Sequence, residues 1–144
     1  MGMKIRMDVA RFKEQLQASA DKLHAATRPA AQAGAQVLYE RALQLAPVSQ
    51  AAHMFHGTHG VYGPYSPGNL RDSIYQVYSK DRSFEDVSTY HVSWNASKAP
   101  YGAMVEFGTS HAPAHSFIGR AVAETRTQVR EAVKTRFLQE ARSK

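Results

Sequence analysis

The chain opens and closes with long stretches in which apolar residues recur at helical spacing. In the first stretch, which follows Asp8, apolar side chains step by three or four residues and polar side chains occupy the other side. The apolar residues are Val9, Phe12, Leu16, Ala20 and Leu23. This spacing predicts an amphipathic helix capped by Asp8, and residues 1–7 before it are expected to be a frayed end or an edge strand.

Pro29 interrupts this pattern, because proline lacks a backbone N–H and disfavours helix for the residue before it. The pattern resumes at Ala31 and continues to Leu45, until Pro47 ends it. The sequence therefore predicts either two N-terminal helices or one kinked helix. Gly34 lies among alanines, and this small face indicates tight packing against a neighbouring element or a subunit contact.

Residues 48–69 carry no clear helical or strand pattern and are rich in turn-forming residues. They include Pro64 and Pro67, together with four glycines, three histidines and two tyrosines. A long segment without its own structure is uncommon in a compact domain and is usually functional, disordered or an arm. Residues 70–74 after it fit one helical turn, which Asn69 could cap.

Residues 87–95 alternate between polar and apolar side chains, which is typical of a half-buried strand. Tyr90, Val92 and Trp94 lie on one face of that strand. Together with an extended stretch upstream, this strand predicts a small antiparallel sheet from Tyr75 to about Phe107.

From Ser116 to about Arg142 the helical pattern returns. Its apolar stripe consists of Ile118, Val122, Thr125, Val129, Val133 and Phe137. Such a helix would be roughly 40 Å long, longer than the sheet requires, so its distal end is expected to project. The predicted fold class is α+β, with N-terminal helices, a small antiparallel β-sheet and a long C-terminal helix.

The stretch between the predicted sheet and the C-terminal helix is interpreted as a structural joint. Gly108 is placed where a left-handed residue would end a helical turn or bend a strand, and Pro113 prevents a helix from running through. The chain is therefore expected to reverse direction here. The residues assigned to the joint are Glu106, Phe107, Gly108, Thr109, Pro113 and Phe117.

Length and composition narrow the possible classes of protein. At 144 residues the chain is expected to form a single domain spanning residues 1–144. The absence of cysteine excludes disulfides and thiol catalysis, and no segment approaches the ~20 apolar residues of a membrane span. A net charge of +6 favours contact with an acidic partner, either nucleic acid or protein.

Histidines are the most conspicuous candidates for chemistry. His53, His56 and His59 form a run with two residues between successive members, and His111 and His115 follow in the joint. If they converged, they could bind zinc, nickel or copper, but the spacing favours a solvated polar loop.

No sequence motif for nucleophilic, metal-dependent or phosphate-binding catalysis is present. Glu106 lies in an apolar setting where burial would raise its pKa. We interpret it as a structural residue that accepts hydrogen bonds from the Gly108–Thr109 turn or pairs with Arg71 or Arg120. No enzymatic activity, cofactor or metal is therefore expected.

Arg126, Arg130 and Lys134 follow one another at steps of four in the predicted C-terminal helix. Like charges at this spacing destabilise an isolated helix slightly, which indicates either a compensating acidic partner or intrachain glutamate partners.

Several short motifs, taken in order, resemble the HK97 gp10-like family of tailed-phage morphogenesis proteins. The motifs are Ala46-Pro47, Gly68 to Ile74, Pro100 to Ala103, Val105 to Thr109, Ala112 to Ala114, Phe117 and Arg120-Ala121. The resemblance covers the chain from about Phe12 to Phe137. It implies that residues 48–69 are an inserted loop or arm, because the family passes more directly from the Ala-Pro motif to the Gly-x-Leu motif. It implies a non-enzymatic virion protein that is made in the host cytoplasm and acts in tail completion or head-to-tail joining.

The same resemblance implies that the protein forms a ring, six-fold in the family. Its implied partners are the tail tube or tail terminator and the head-completion proteins, with DNA as an additional candidate and no membrane. We expect the contacts to involve two groups of residues, one in the 48–69 segment and one on the C-terminal helix. They are His53, His56, His59, Tyr62 and Tyr65, and Arg126, Arg130 and Lys134.

Two alternatives remain open at this point. A nucleic-acid-binding module would use the basic C-terminal helix together with Tyr90 and Trp94. A metal-dependent protein would use the histidines of the 48–69 segment.

Overall fold

The computed structural model describes residues 2–4, 6 and 8–143 and has the predicted α+β architecture. Residues 2–4 and 6 form neither helix nor strand. Residues 1, 5 and 7 lie outside the described part of the chain, so the prediction of a frayed end or an edge strand is tested only at residues 2–4 and 6. The elements in chain order are α1 (Val9–Leu45), β1 (His53–Gly57), β2 (Gly60–Tyr65), α2 (Asn69–Asp72), β3 (Ile74–Tyr78), β4 (Tyr90–Trp94), α3 (Gly102–Phe107) and α4 (Ile118–Arg142).

Helix α1 is continuous through Pro29, so of the two predicted alternatives the one with two separate N-terminal helices is wrong. A proline inside a helix removes one backbone hydrogen bond, but Ala26 and Ala30 on either side of it are buried, and this packing holds the helix together. The helix begins as predicted, with the Asp8 carboxylate accepting a hydrogen bond from Arg11 N–H at 3.2 Å. It ends before Pro47, where Ala46 is extended (φ −61°, ψ 124°).

Helix α4 packs antiparallel along α1. Arg41 of α1 pairs with Glu124 near the start of α4, whereas Gly34 lies against Val133 further along. A Cβ atom at Gly34 would lie 2.6 Å from Val133 Cγ2. The small face of α1 is therefore a contact within the chain, the first of the two predicted roles.

The antiparallel arrangement decides which helix end projects. Since both helices rise about 1.5 Å per residue, the end of α4 comes level with about Leu23 of α1. The prediction that the distal end of α4 projects is therefore wrong. The end that extends past its partner is residues 9–23 of α1, which we call the overhang.

The segment 48–69 is not a structureless loop, because β1 and β2 pair within it as an antiparallel hairpin. The pairing runs from His53 opposite Tyr65 to Gly57 opposite Gly60, with a bulge between His53 and Phe55. Glycines and prolines obscured this hairpin in the sequence. Its aromatic side chains hold it on the rest of the fold, since His53, Phe55 and Tyr65 all contact the ring of Tyr101.

Strands β3 and β4 form a second two-stranded antiparallel sheet, with Ile74 opposite Trp94 and Tyr78 opposite Tyr90. The predicted face of β4 is confirmed, because Tyr90, Val92 and Trp94 are alternate residues of the observed strand and point to the same side. The predicted extension of this sheet to Phe107 is wrong, since residues 102–107 form α3. The apolar run preceding Gly108 fits one short buried helix as well as a strand, and only tertiary packing distinguishes the two.

The core lies where α1, β3, β4, α3 and the start of α4 meet. Phe117 is fully buried at its centre, with its ring 5.6 Å from that of Trp94. Gly102 allows Trp94 to pack against the α3 backbone, because a Cβ there would lie 2.2 Å from the indole nitrogen. The buried apolar cluster is Ala42, Ala46, Leu70, Ile74, Ala99, Tyr101, Phe117 and Ala121.

The short helix α2 is not capped by Asn69 as predicted. Its cap position is Gly68, in the left-handed conformation (φ 84°). The Asn69 side-chain amide instead donates to Lys98 O at 2.8 Å and to the Tyr101 hydroxyl at 3.0 Å. The Asn69 side chain therefore makes two long-range hydrogen bonds instead of capping α2.

Candidate functional site

The N-terminus of α4 is capped by the carboxylate of Glu106, a residue of α3. Oε2 accepts the backbone N–H groups of Phe117 (2.8 Å) and Ile118 (3.0 Å). Oε1 accepts the Gly119 N–H (2.9 Å) and the Ser116 hydroxyl (2.7 Å). The first N–H groups of a helix have no partner within the helix, so this carboxylate satisfies groups that would otherwise be unpaired.

Glu106 is buried, with a relative exposure of 6%. Burial of the carboxyl group would by itself raise its pKa, but the hydrogen bonds from Gly119, Ser116, Ile118 and Phe117 outweigh that effect and hold the pKa below its ordinary value. The expected rise in pKa is therefore wrong. The structural role was predicted but its partners were not, because the donors come from α4 and the residues just before it rather than from the Gly108–Thr109 turn, Arg71 or Arg120.

Gly108 ends α3 in a backbone conformation that favours glycine, with φ 76° and ψ 175°. A Cβ at this position would lie 2.7 Å from Ala114 N. The next residue, Thr109, closes a turn by accepting the N–H groups of His111 and Ala112 on its hydroxyl. Residues 109–117 contain no helix, as Pro113 predicted, and the chain re-enters helix at Ile118.

The remaining joint residues lie in opposite environments. Phe117 is fully buried, whereas Phe107 is 76% exposed. Only one of the two aromatic side chains therefore belongs to the core, and the other presents an apolar surface beside the turn.

The structure separates the histidines of the hairpin. His53 packs edge-on against Tyr101 with ring centroids 4.8 Å apart, whereas His56 and His59 are exposed. Within residues 8–143 no three side chains of the metal-binding types converge on one point. The hairpin tyrosines also differ, since Tyr65 is half-buried against Tyr101 and Tyr62 is exposed and stacks on Phe55.

An apolar cleft of about 490 Å³ opens between the hairpin, the end of α1 and the joint. Among the described residues that line it, none is Lys, Arg, Asp or Glu. His53 lies at its wall, and its Nδ1 is buried without a hydrogen-bond partner in the described structure. The main apolar side chains of the cleft are Pro47, Val48, Leu70, Met104, Val105 and Pro113.

The basic row of α4, consisting of Arg126, Arg130 and Lys134, is exposed to solvent. Two of the three carboxylates of α4 pair elsewhere, Glu124 with Arg41 and Arg120 and Glu140 with Arg136. The third, Glu131, forms no ion pair with any described residue. Of the two explanations offered by the sequence, intrachain glutamate partners are therefore not seen for this row within residues 8–143.

Tyr90 and Trp94 do not join the basic row on one surface. Trp94 packs on Phe117 and Gly102 in the core, and Tyr90 contacts Tyr78 at a centroid distance of 5.5 Å. Arg28 of α1 lies over the Tyr78 ring at 4.0 Å. These aromatic rings hold α1 and α4 onto the sheet, which leaves the alternative nucleic-acid site without stacking platforms.

The overhang of α1 presents the apolar stripe of the predicted amphipathic helix to solvent. Val9, Phe12, Leu16 and Leu23 are 62%, 56%, 55% and 48% exposed. The periodicity identified the helix face correctly, but only the position of α4 shows that this part of the face is uncovered.

Comparison with known proteins gives one family. The family model described as "Bacteriophage HK97-gp10, putative tail-component" matches residues 10–108, more than half of the chain. The match includes the hairpin, the sheet and α3 and stops before α4, so the downstream motifs of the resemblance lie outside it. No curated protein and no solved structure gives a significant match. None of the helices in the described residues is apolar enough over a sufficient length to cross a bilayer.

Proposed function

Because the chain belongs to the HK97-gp10-like family of bacteriophage tail components, we propose that it is a structural virion protein of the neck or tail. In this proposal it forms a ring at the head-proximal end of the tail and acts in tail completion or head-to-tail joining. It is made in the host cytoplasm and has no catalytic activity. Its neighbours are itself, the tail tube or tail terminator, and the head-completion proteins.

The match over residues 10–108 carries the proposal, because it includes every element except α4. The arrangement of surfaces supports it. A minor structural protein must contact several neighbours at once, and the chain offers an exposed apolar overhang, an uncharged cleft and a basic helix face on separate parts of the fold. The six-fold symmetry rests on the family resemblance alone.

The test is the composition of gradient-purified phage particles. Peptide mass spectrometry should find this chain at a small copy number, fixed relative to the major tail protein. In a phage in which the gene is deleted, filled heads and separate tails should accumulate, and the chain supplied in trans should restore infectivity. Infectious particles that lack the chain would reject the proposal.

Direct contact with DNA is a second candidate function, favoured by the exposed basic row of α4. A neck protein lies close to the path of the genome, and phosphate contacts require exposed cations rather than a shaped pocket. Because Tyr90 packs on Tyr78 and Trp94 on Phe117, such binding would be electrostatic and independent of base sequence.

A further inference from the structure

Two apolar surfaces lie uncovered at opposite ends of the molecule. The first is the stripe on the overhang, and the second is the cleft beside the C-terminal end of α1. From Leu23 to Leu45 the continuous helix spans about 33 Å, so the overhang of one chain cannot reach its own cleft. We propose that the overhang of each chain docks on the cleft of a neighbouring copy, which makes this the contact between subunits of the ring. This inference rests on the proposed function, from which it takes the ring.

The overhang continues a face of α1 that already serves as a helix-packing surface. Val9, Phe12, Leu16 and Leu23 share the helix face of Gly34 and Arg41, because all are separated by steps of three, four, seven or eleven residues. Along the second half of that face, α4 covers Gly34 and pairs with Arg41. The stripe is uncovered only because α4 ends first, so the overhang has the character of an interface that lacks its partner.

A helix that extends freely into water needs such a partner. Helices of this length are marginal in isolation, and most of their stability comes from packing of an apolar face. Four large apolar side chains spaced along one stripe supply that face. Phe12 is its one aromatic residue and therefore its natural anchor, since aromatic side chains buried in pockets dominate most interfaces.

The charges fit a second copy better than a nucleic acid or an acidic protein. Residues 8–23 carry three acidic and three basic side chains, which cancel, although the whole chain has a net charge of +6. The cleft has no Lys, Arg, Asp or Glu among the described residues that line it. Both surfaces are thus apolar and neutral, and a volume of about 490 Å³ lies in the range that receives ligand-sized apolar groups.

The difference between the two surfaces makes the proposed contact head-to-tail. Pairing of overhang with overhang would be isologous and would stop at a dimer, whereas overhang on cleft is a head-to-tail contact that closes into a ring when the rotation permits. A ring needs a contact of this head-to-tail kind, and both surfaces are then required on every subunit.

The natural absence of cysteine allows a direct test. The double variant Leu16→Cys/Met104→Cys places one thiol on the stripe and one in the cleft, and mild oxidation of the concentrated full chain should give a ladder of disulfide-linked oligomers that ends at the ring size. A matched control, Ala18→Cys/Met104→Cys, moves the first thiol to the opposite face of the overhang and should give no ladder. Mixing the two single variants should give covalent dimers only.

The other outcomes are decisive. A covalent dimer from Leu16→Cys alone would show that overhangs pair with each other and overturn the proposal. The same oxidation of the double variant in purified particles separates the two ideas. If the chain is present in particles but no disulfide forms between positions 16 and 104, the docking inference fails and the proposed function stands. Absence of the chain from particles rejects the proposed function whatever the purified chain does.

Discussion

Glu106 Oε1 accepts a hydrogen bond from the backbone N–H of Gly119 at 2.9 Å, although the two residues are 13 positions apart and belong to different helices. The same carboxylate also binds the N–H groups of Phe117 and Ile118. A helix N-terminus attracts negative charge, so one buried side chain fixes both the start of α4 and its direction relative to α3.

Replacing Glu106 with Gln should destabilise the fold by about 2 kcal/mol, because the amide removes the charge and turns an NH₂ group toward backbone donors. The free energy of unfolding from urea titration at pH 7 measures the effect. Glu85→Gln, in an exposed loop, is the matched control and should stay within about 0.5 kcal/mol of the natural chain. Equal stability of the two variants would show that the cap contributes little.

The contribution of Glu106 should depend on pH. Its pKa is lowered in the folded protein, so the unfolded chain takes up a proton at a higher pH than the folded chain does. The stabilisation is therefore complete above the ordinary glutamate pKa of about 4.3 and is lost as pH falls through the lower folded value. The urea midpoints of the natural chain and of Glu106→Gln should therefore converge as the pH falls from about 5 to about 2, which is roughly the range over which hydrogen-bonded carboxylates titrate. A gap that stays constant over this range would contradict the assignment.

Replacing Gly108 with Val should cost about 3 kcal/mol, because a β-branched residue is strained at φ 76° and its Cβ would overlap Ala114 N. The melting temperature of the purified chain is the measurement. Gly2→Val is the control, since nothing lies within 4 Å of a Cβ built there. An unchanged melting temperature for Gly108→Val would mean that the turn adapts without strain.

Gly34→Ala should destabilise the fold by about 1–2 kcal/mol despite the higher helix propensity of alanine, because the added methyl group would meet Val133 Cγ2 at 2.6 Å. Adding Val133→Ala should recover part of the loss by making room for the methyl group. A double-mutant cycle on urea unfolding gives the coupling energy between the two positions. If the effects of the two substitutions on stability were strictly additive, the steric clash of Gly34→Ala would not be with Val133.

Replacing all three residues Arg126, Arg130 and Lys134 by Gln should leave the free energy of unfolding nearly unchanged, because these exposed side chains have no carboxylate partner among the described residues. If the row contacts DNA, the slope of log binding constant against log salt should fall by about one per residue removed. Replacing Lys80, Arg82 and Lys98 with Gln removes the same charge elsewhere and serves as the control. An equal loss of binding in both triple variants would assign the effect to net charge alone.

Much of the fold follows from local rules that the sequence displays directly. The apolar spacing from Val9 onward and from Ile118 onward identifies both long helices, the alternation around Val92 identifies β4, and Pro47 and Pro113 mark where helix cannot continue. Gly108 belongs with them, because a positive φ after a short apolar helix is a local requirement of the backbone. These features depend on residues that are neighbours in the chain.

Tertiary structure decided the rest, because its physical causes lie far apart in sequence. Pro29 remains inside a helix since Ala26 and Ala30 are buried against other elements, and the hairpin of residues 53–65 is held by the ring of Tyr101. Glu106 finds its partners only when α3 meets α4. Whether the apolar stripe of the overhang is core or surface depends on where α4 ends along α1. Periodicity alone shows that a helix has an apolar face, and only the packed structure shows which part of that face remains open to a neighbour.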